Sequence, residues 1–257
     1  SRIETDLTPP DFAGGSHPIV AANMNAVTGK RMAETMARFG GLGVLPQDME
    51  LDTVERIVKH IHAADARYDT PLAVSPRATL RDVQGIIRKR SHDLVVVVDD
   101  DRRPLGIVTA ADLRDRDQYT LASALMTPRL VSFSIGISNR EAFLAMEEAR
   151  VKAAPVLDEA GRLAGVITRN DAVRLEILRP SLANGRLMVA AAIGISSQAA
   201  AAAGSLLEMG ISAIVLDTAH GHQRPMREAP AAVKQVVRGR VPIIAGNDCT
   251  AAGTRAL

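Results

Sequence analysis

The sequence predicts an α/β fold in which a parallel sheet is interrupted by a duplicated unit of a different kind. Short apolar segments alternate with helical patterns over residues 18–61, and the same alternation resumes after residue 186. This alternation is typical of parallel strands joined by helical crossovers. Between the two stretches, a shift of 59 residues superimposes three separated blocks of the chain on one another. A register that holds over three blocks indicates an internal repeat.

The first part of the predicted sheet begins after a loop. Residues 1–16 contain two prolines and two glycines, which predicts extended or loop structure. The apolar segment 18–22 predicts a strand, and Thr28 is positioned to cap the helix that follows it. That helix is predicted to turn four side chains inward: Met32, Ala33, Met36 and Ala37. Residues 42–45 predict a second strand, and Asp52 opens an amphipathic helix after it.

Each copy of the repeat predicts a hairpin of two strands with one helix before it and another after it. In the first copy, Thr79 and Asp82 form a helix-start signal, and strands are expected over residues 95–98 and 105–108. The matching features of the second copy are Ser138, Glu141 and the segments 155–157 and 164–167. Both second strands end in Thr-x-x-Asp at the entrance to a further helix. Because a unit of 59 residues buries little apolar surface alone, we expect the two copies to pack as a pair.

Polar residues collect where the predicted strands end. After the repeat, strands are expected over residues 187–192, 213–216 and 242–245, with helices over residues 196–209 and 229–238. The polar residues at strand ends are Asn23, Asn25, Gln47, Asp217, His220, His222, Asn247 and Asp248. Since the carboxyl ends of the strands form the active face of a (β/α)8 barrel, this clustering predicts a TIM barrel. Five of the eight strands are visible, and the C-terminal part of the barrel is absent from this chain.

The composition favours a soluble protein without nucleic-acid or membrane partners. Of the 257 residues, 47% are apolar and 2% are aromatic, and the formal net charge is +2. Few aromatic side chains are available to stack on bases, and the chain has no dense basic stripe. The single cysteine excludes an internal disulfide and fits a reducing compartment. The chain shows neither a signal-peptide pattern nor an apolar run of bilayer length, so we expect a cytoplasmic protein.

The duplicated motif resembles that of a CBS-domain tandem, also called a Bateman module. Both copies carry Gly-apolar-apolar-Thr-x-x-Asp at the end of the hairpin, at residues 106–112 and 165–171. In that family the Thr hydroxyl and the Asp carboxylate hold the ribose hydroxyls of adenine or guanine nucleotides. The resemblance assigns this regulatory role to four residues: Thr109, Asp112, Thr168 and Asp171. The alternative is that these residues only cap the helices that follow them.

The order of motifs along essentially the whole chain resembles the IMP dehydrogenase and GMP reductase family. The motifs are Ala-Ala-Asn-Met-Asn-Ala-Val (residues 21–27), Gly-Gly-Leu-Gly (40–43), the CBS pair, Asp-Thr-Ala-His-Gly-His (217–222) and Ala-Gly-Asn (245–247). The domains implied are the first part of a barrel over residues 1–70, the CBS module over 71–179 and the second part of the barrel over 180–257.

Three details resemble the actinobacterial GMP reductases that keep CBS domains. They are the Ala-Ala-Asn-Met run, the helix of residues 31–38 and the Leu-Pro-Gln-Asp run at residues 45–48. The Asp-Thr-Ala-His-Gly-His motif is shared with IMP dehydrogenases, in which CBS pairs are also commoner.

The resemblance implies redox chemistry on purine nucleotides. In a GMP reductase, a cysteine thiolate attacks C2 of GMP, ammonia leaves, and NADPH reduces the enzyme-bound intermediate, which is released as IMP. One alternative is an IMP dehydrogenase, with NAD as cofactor and a monovalent cation such as potassium. A second is a non-catalytic nucleotide sensor. The family also implies regulation by ATP and GTP at the CBS sites and assembly into homotetramers or homo-octamers.

The resemblance further assigns residues of the active face. Asp217 would accept the hydroxyls of the nicotinamide ribose, with Thr218 and Ala219 lining the same cofactor surface. Capping a helix is the alternative role for Asp217. Met24 would pack against the purine and Asn247 would hold the substrate. The alternatives are that Met24 fills the core and that Asn247 closes a turn.

No catalytic residue and no metal ligand is assigned. The nucleophilic cysteine of the family lies in a glycine-rich loop after the sixth barrel strand, which this chain does not reach. We therefore expect the chain alone not to turn over substrate. Cys249, the single cysteine, follows the fifth strand instead. His220 and His222 have no carboxylate or cysteine partner at ligand spacing, so a zinc site is not expected.

Overall fold

A computed structural model of the chain describes residues 17–256, so the loop predicted for residues 1–16 lies outside the described part. The chain divides into two compact units, with the divisions between Ala66 and Arg67 and between Ile177 and Leu178. The first unit contains β1 (Val20–Ala21), α1 (Lys30–Arg38), β2 (Leu42–Leu45), α2 (Leu51–Ala63), and, after the second unit, β9 (Leu182–Ala183), β10 (Arg186–Leu187), β11 (Ala190–Ile193), α7 (Ala199–Glu208), β12 (Ala213–Asp217), α8 (Arg224–Val237), β13 (Ile243–Gly246) and α9 (Ala251–Ala256). The second unit contains β3 (Leu72–Val74), α3 (Leu80–Ile87), β4 (Leu94–Val98), β5 (Pro104–Thr109), α4 (Ala122–Leu125), β6 (Phe133–Ser134), α5 (Asn139–Glu148), β7 (Ala153–Leu157), β8 (Leu163–Thr168) and α6 (Arg169–Ile177).

The first unit is built on a five-stranded parallel sheet in the order β1-β2-β11-β12-β13. The strand before the repeat pairs directly with the strand after it, with Ala190 opposite Val44 and Ala191 opposite Leu45. The two flanks of the repeat therefore belong to one sheet, as the strand–helix alternation predicts. The sheet is curled into a parallel half-barrel, so the α/β class and the partial barrel are confirmed.

Close packing of helix on sheet explains the glycine in β2. A Cβ at Gly43 would lie 2.5 Å from the Cα of Ala33 in α1, so any larger residue would push the helix off the strand. The outer face packs against α1, α2, α7 and α8 in a cluster that includes Val58, Ile61 and Ile214. A smaller cluster that includes Leu42, Val44 and Met188 fills the inner face.

The first helix differs from the prediction in its cap and in its buried face. The Thr28 hydroxyl donates to the carbonyl of Ala22 at 2.6 Å, and the residue that precedes the helix is Gly29, without a side-chain cap. The buried residues of the helix are Ala33, Glu34, Ala37 and Arg38. Met32, predicted to face inward, is 41% exposed.

An ion cluster causes this rotation of the first helix. The fully buried carboxylate of Glu34 pairs with Arg38 at 2.6 Å and lies 3.1 Å from Nε2 of His60 in α2. A charged residue can be buried when it is paired in this way. An apolar pattern therefore could not predict this face.

The strand predicted over residues 187–192 is wrong at its start, because Leu187 pairs with the antiparallel strand β9 and not with the parallel sheet. Asn184 and Gly185 take the left-handed conformation, with φ of 51° and 75°, and form the tight turn of the antiparallel β9–β10 hairpin. Only Ala190–Ile193 joins the parallel sheet. The predicted helix over residues 229–238 also begins earlier, at Arg224, where Pro225 occupies the first turn and needs no backbone hydrogen bond.

Each copy of the repeat forms a three-stranded sheet, β3-β4-β5 in the first and β6-β7-β8 in the second. The predicted helix-start signals are confirmed as complete capping boxes: Thr79 with Asp82 at α3, and Ser138 with Glu141 at α5. The sequence reasoning missed β3, β6 and the short helix α4. A helix follows the Thr-x-x-Asp motif only in the second copy, since residues 110–115 of the first copy form turns.

The glycine of each duplicated motif lies where another segment of chain crosses the hairpin. A Cβ at Gly106 would lie 2.7 Å from Sδ of Met126 and 2.9 Å from the carbonyl of Thr127, and one at Gly165 would lie 2.6 Å from Cβ of Tyr68. In both copies the crossing segment makes a backbone bridge to the second strand of the hairpin. The crossing segment thus leaves no room for a side chain, so both positions require glycine whether or not a ligand binds.

The two copies share a core, which fits the expectation that they pack as a pair. Leu94 and Val96 of β4 cluster with Leu163 and Val166 of β8. The backbone N–H of Leu163 also donates to the carbonyl of Arg102 at 2.9 Å. Within residues 17–256, no helix combines the length and the apolar character needed to cross a membrane.

We predict that Gly43→Ala destabilises the first unit, since the new Cβ would collide with the backbone of α1. The expected loss is about 1 to 3 kcal/mol, measured as a lower urea midpoint by far-UV circular dichroism. Gly204→Ala in α7 is the matched control, because its Cβ would meet only Cγ1 of Val236 at 3.7 Å. That change should leave the midpoint unchanged or raise it, as alanine favours helix. Equal midpoints for the two variants would contradict the prediction.

Candidate active site at the carboxyl ends of the sheet

The curl of the sheet brings the loop after β1 to the end of β12. The amide nitrogen Nδ2 of Asn23 donates to Oδ2 of Asp217 at 2.8 Å. In the sheet order these two strands are separated by β2 and β11. In a flat sheet they would lie about 14 Å apart, since neighbouring strands are about 4.8 Å apart. This hydrogen bond therefore closes across the mouth of the half-barrel, where parallel strands all present their carboxyl ends.

Asp217 is the last residue of β12 and is half-buried. Asn23 holds one carboxylate oxygen, and the other, Oδ1, accepts no hydrogen bond from any residue in the described range 17–256. A fixed carboxylate with one uncommitted oxygen is a suitable acceptor for a ligand hydroxyl. The Thr218 side chain faces another way, since its hydroxyl accepts from Nε2 of Gln223 at 3.0 Å. Asp217 is followed by a loop rather than a helix, which disfavours the capping role.

Backbone hydrogen bonds tie the loop after β12 to the end of β13. Thr218 N–H donates to Gly246 at 2.9 Å, Asn247 N–H donates to Thr218 at 2.8 Å, and Gly221 N–H donates to Asn247 at 2.6 Å. A Cβ at Gly221 would lie 2.6 Å from the Asn247 carbonyl oxygen, so this approach requires glycine. The Asn247 side chain is exposed and makes no hydrogen bond within the described residues. The backbone hydrogen bonds of Asn247 therefore set the direction in which its side chain leaves the chain.

The remaining predicted residues of the active face are exposed near these loops. Met24 is 58% exposed in the loop after β1, so it is not core filler. Ala219 is also exposed. Cys249 is exposed in the loop after β13. Beside it, a hydrogen bond from the Thr250 backbone N–H lowers the pKa of Asp248.

A second pair of an asparagine amide and an aspartate carboxylate lies at the carboxyl ends of the strands. Nδ2 of Asn25 donates to Oδ2 of Asp48 at 2.6 Å, linking the loop after β1 to the loop after β2. His220 and His222 are exposed. Across residues 17–256, no group of three or more His, Cys, Asp or Glu side chains could hold a metal ion.

The Thr-x-x-Asp motifs of the second unit form local hydrogen bonds in both copies. The Thr109 hydroxyl donates to Oδ2 of Asp112 at 2.8 Å, and the Thr168 hydroxyl donates to Oδ2 of Asp171 at 2.7 Å. The helix-capping hydrogen bond, from the Asp backbone N–H to the Thr hydroxyl, is present in the second copy, from Asp171 to Thr168 at 2.9 Å. In the first copy the Asp112 N–H donates instead to the Thr109 carbonyl, at 3.1 Å. In both copies the second carboxylate oxygen of the Asp is left to other partners.

Sequence reasoning assigned no role to Asn23 or Gln223, although both orient predicted site residues. Asn23 stood among the polar residues at strand ends, and that position was the available signal. Its partner could not be named, because the contact joins strands that are not neighbours. Nothing in the sequence pointed to Gln223, because it lies in a loop before α8 where the pattern of apolar residues has no regular period.

The chain matches the family model described as IMP dehydrogenase / GMP reductase domain over residues 5–257. It is 38% identical over 258 residues to a GMP reductase of Mycobacterium tuberculosis, covering 100% of this chain and 53% of that protein. It is 34% identical over 246 residues to an inosine-5'-monophosphate dehydrogenase of Halalkalibacterium halodurans, covering 93% of this chain and 50% of that protein. The chain thus spans about half the length of these relatives.

Solved structures of a GMP reductase from Trypanosoma brucei are similar to this chain. The complex with guanosine 5'-triphosphate has a TM-score of 0.64 at 32% identity, covering 94% of this chain and 60% of that one. A single-residue variant in complex with guanosine 5'-monophosphate has a TM-score of 0.63 at 32% identity, covering 94% and 53%.

We predict that Gly221→Ala loosens the loop after β12. The new Cβ would force the Asn247 carbonyl away and break the 2.6 Å hydrogen bond from the Gly221 N–H. Hydrogen exchange measured by mass spectrometry should be faster over residues 217–223 in the variant. Gly194→Ala, at the end of β11, is the control, because its Cβ would meet only the flexible tip of Gln47, at 3.3 Å. Unchanged exchange in Gly221→Ala would show that the loop is held in another way.

Proposed function

The chain belongs to the IMP dehydrogenase and GMP reductase family, and we propose that the protein is an NADPH-dependent GMP reductase that converts GMP to IMP. The observation that best supports this direction is the bond from Asn23 to Asp217 at 2.8 Å. Asn23 belongs to the Ala-Ala-Asn-Met run, which resembles that of GMP reductases. A residue typical of the reductases therefore contacts Asp217, the residue proposed to bind the cofactor. The identity of 38% to a mycobacterial GMP reductase also exceeds that of 34% to IMP dehydrogenases.

The residues of the active face fit a nicotinamide nucleotide and a purine nucleotide. Asp217 would accept hydroxyls of the cofactor ribose through Oδ1, while Asn23 fixes the carboxylate through Oδ2. Thr218 and Ala219 would line the cofactor surface. Met24, being exposed, would cover the purine ring. Asn247, whose side-chain amide both donates and accepts, would bind the substrate.

When bound, the nicotinamide cofactor supplies the hydride that reduces C2 of the purine. The family resemblance implies a cysteine thiolate that adds to C2 before ammonia leaves and departs as IMP is released. That cysteine is not among the residues of this chain. Cys249 is exposed in the loop after β13, and we propose no catalytic role for it. The proposal therefore concerns the whole protein. This chain supplies the strand ends that would bind and orient the cofactor and the purine nucleotide.

IMP dehydrogenase is the second candidate function, with NAD as cofactor and a monovalent cation such as potassium. The motif at residues 217–222 supports it, since this motif is shared with dehydrogenases. A non-catalytic nucleotide sensor is the third.

For the second unit, we propose a CBS tandem over residues 71–179 that binds ATP or GTP through Thr109, Asp112, Thr168 and Asp171. In the same proposal the flanks, residues 1–70 and 180–257, are barrel, and the protein is a homotetramer or homo-octamer. Support comes from the two three-stranded sheets, which share one core and each carry a Thr hydroxyl that donates to the Asp carboxylate of the motif. Coupling between such sites and an active site is typically about 1 to 3 kcal/mol.

The direction of the reaction can be tested on the product of the complete reading frame. With GMP and NADPH, we expect the nicotinamide absorbance to fall while IMP and ammonia form. Activity only with IMP and NAD would identify a dehydrogenase. If neither pair reacts, and the reading frame lacks a glycine-rich loop with Cys-Thr beyond residue 257, the sensor function would stand instead.

We predict that Asn23→Ala raises the KM for NADPH about 5-fold with little change in kcat. The variant loses one hydrogen bond that orients Asp217, which is worth about 1 kcal/mol. Asp217→Asn should raise this KM about 10- to 100-fold, since it removes the charge that accepts the ribose hydroxyls. Steady-state kinetics at saturating GMP measure both effects.

Asn25→Ala is the matched control for Asn23→Ala. Asn25 lies in the same loop and donates to a different carboxylate, Asp48, at 2.6 Å. Its variant should keep the wild-type KM for NADPH. Equal effects of the two substitutions would mean that loop stability, and not the orientation of Asp217, sets the affinity for the cofactor.

A further inference from the structure

In both Thr-x-x-Asp motifs the Thr hydroxyl and backbone N–H donate to one oxygen of the Asp carboxylate, and the two motifs differ in the partners of the other oxygen. We propose that only the first copy, at Thr109 and Asp112, binds a purine nucleotide, and that an internal ion network closes the second copy at Asp171. This inference rests on the CBS function proposed above and narrows it. Of the four residues named there, Thr109 and Asp112 keep the nucleotide-binding role, and Thr168 and Asp171 are assigned a structural role instead.

In the second copy, both oxygens of the Asp171 carboxylate are engaged. Oδ2 accepts from the Thr168 hydroxyl at 2.7 Å and from its backbone N–H at 3.2 Å. Oδ1 accepts from Nη2 of Arg174 at 3.1 Å, and the Arg174 side chain is only 9% exposed. A ribose hydroxyl that donated to Oδ1 would compete with a guanidinium that has little access to water.

In the first copy, the Asp112 carboxylate has no such second partner. Oδ2 accepts from the Thr109 hydroxyl and backbone N–H, both at 2.8 Å. Oδ1 accepts no hydrogen bond from residues 17–256. The shift of 59 residues places Asp115 where the second copy has Arg174, and Asp115 is an exposed anion in a left-handed turn, with φ of 54°. The oxygen that a ribose would need is therefore uncommitted only at Asp112.

A second ion pair lies near Asp171, since the carboxylates of Asp69 and Asp171 both act on His92. Nη1 of Arg90 lies 3.2 Å from Oδ1 of Asp69, with the two side chains 7% and 17% exposed.

His92 completes this network as a neutral ring. Burial lowers the pKa of His92, against the opposing influence of the Asp69 and Asp171 carboxylates. Nδ1 accepts from the backbone N–H of Leu94 at 3.1 Å, so the ring proton lies on Nε2, which faces the Thr70 carbonyl at 3.4 Å. Both nitrogens are thus used within the protein.

The residues that the repeat makes equivalent to this ion pair and to His92 carry no such groups. The shift of 59 residues places Pro128, Ala149 and Val151 where Asp69, Arg90 and His92 stand in the network. These residues cannot form ion pairs, and no ion pair among residues 17–256 includes Asp112. A nucleotide at Asp112 would break no ion pair, whereas one at Asp171 would have to break a largely buried pair, which is unfavourable when one partner stays buried.

The test measures how many nucleotides bind per chain and which carboxylate they need. Isothermal titration of ATP, and separately of GTP, into the 257-residue chain should give one site per chain. Asp112→Asn should weaken that binding about 10-fold or more, since it removes an ionised acceptor. Asp171→Asn should leave the affinity within about 3-fold and the stoichiometry at one, and should lower the thermal midpoint.

Asp82→Asn is the control for loss of a cap. Thr79 and Asp82 repeat the same geometry at α3, with the hydroxyl bond at 2.7 Å, at a position where no ligand is proposed. This variant should bind nucleotide as the wild type does. If Asp171→Asn fails to fold, the wild-type stoichiometry and the Asp112→Asn titration decide the matter alone.

Two nucleotides per chain, or loss of binding in Asp171→Asn with full binding in Asp112→Asn, would overturn the inference and leave the regulatory role of the repeat intact. Failure of both ATP and GTP to bind the wild-type chain would overturn the inference and the regulatory role together. Neither result bears on the GMP reductase reaction, which is tested separately.

Discussion

The pairing of β2 with β11 is the constraint on which the rest of the first unit depends. It joins the strand that precedes the repeat to the strand that follows it, so that one sheet continues across an insertion. Closing a long loop costs little more than closing a short one, about 0.6 kcal/mol for each doubling of length. The two contacts at the insertion points reinforce the pairing: Nε of Arg38 donates to the Asp65 carbonyl at 2.8 Å, and Ser181 N–H donates to the Ala37 carbonyl at 2.7 Å. Helix α1 thus holds the chain both where it leaves and where it returns.

A buried ion cluster makes that anchoring possible. Arg38 can reach the Asp65 carbonyl because Glu34, which is fully buried, holds it on the inner face of α1. Replacing such a cluster by apolar residues would often cost nothing in stability. What apolar residues could not supply is the hydrogen bond to a backbone carbonyl at the point where the chain departs. We therefore infer that the Glu34–Arg38–His60 cluster fixes the point at which the chain leaves the first unit. It does not serve to enlarge the apolar core.

The parts of this fold that the sequence could predict are those encoded by neighbouring residues. Strand–helix alternation predicts the parallel sheet, and Thr79 with Asp82 predicts a capping box that the structure confirms. The parts that failed depend on distant contacts. Glu34 turns α1 away from the face its apolar residues predict, because its partner His60 lies on another helix. The bond from Asn23 to Asp217 needs the curl of the sheet, which no local pattern reports.

A comparison of the two copies of the repeat shows which positions are constrained in both and which are free to differ. Gly106 and Gly165 are both required because a crossing segment occupies the space of a side chain in each copy, so neither copy could change without moving backbone. Arg174 and Asp115 occupy equivalent positions of the sequence with opposite charge, and the backbone differs there too, since Arg174 lies in α6 and Asp115 in a left-handed turn. A repeat can therefore keep its strands and crossing segments while the surroundings of its two Thr-x-x-Asp motifs come to differ. The shared core of β4 and β8 permits this, because it holds the copies together and includes none of the Thr and Asp residues of the two motifs.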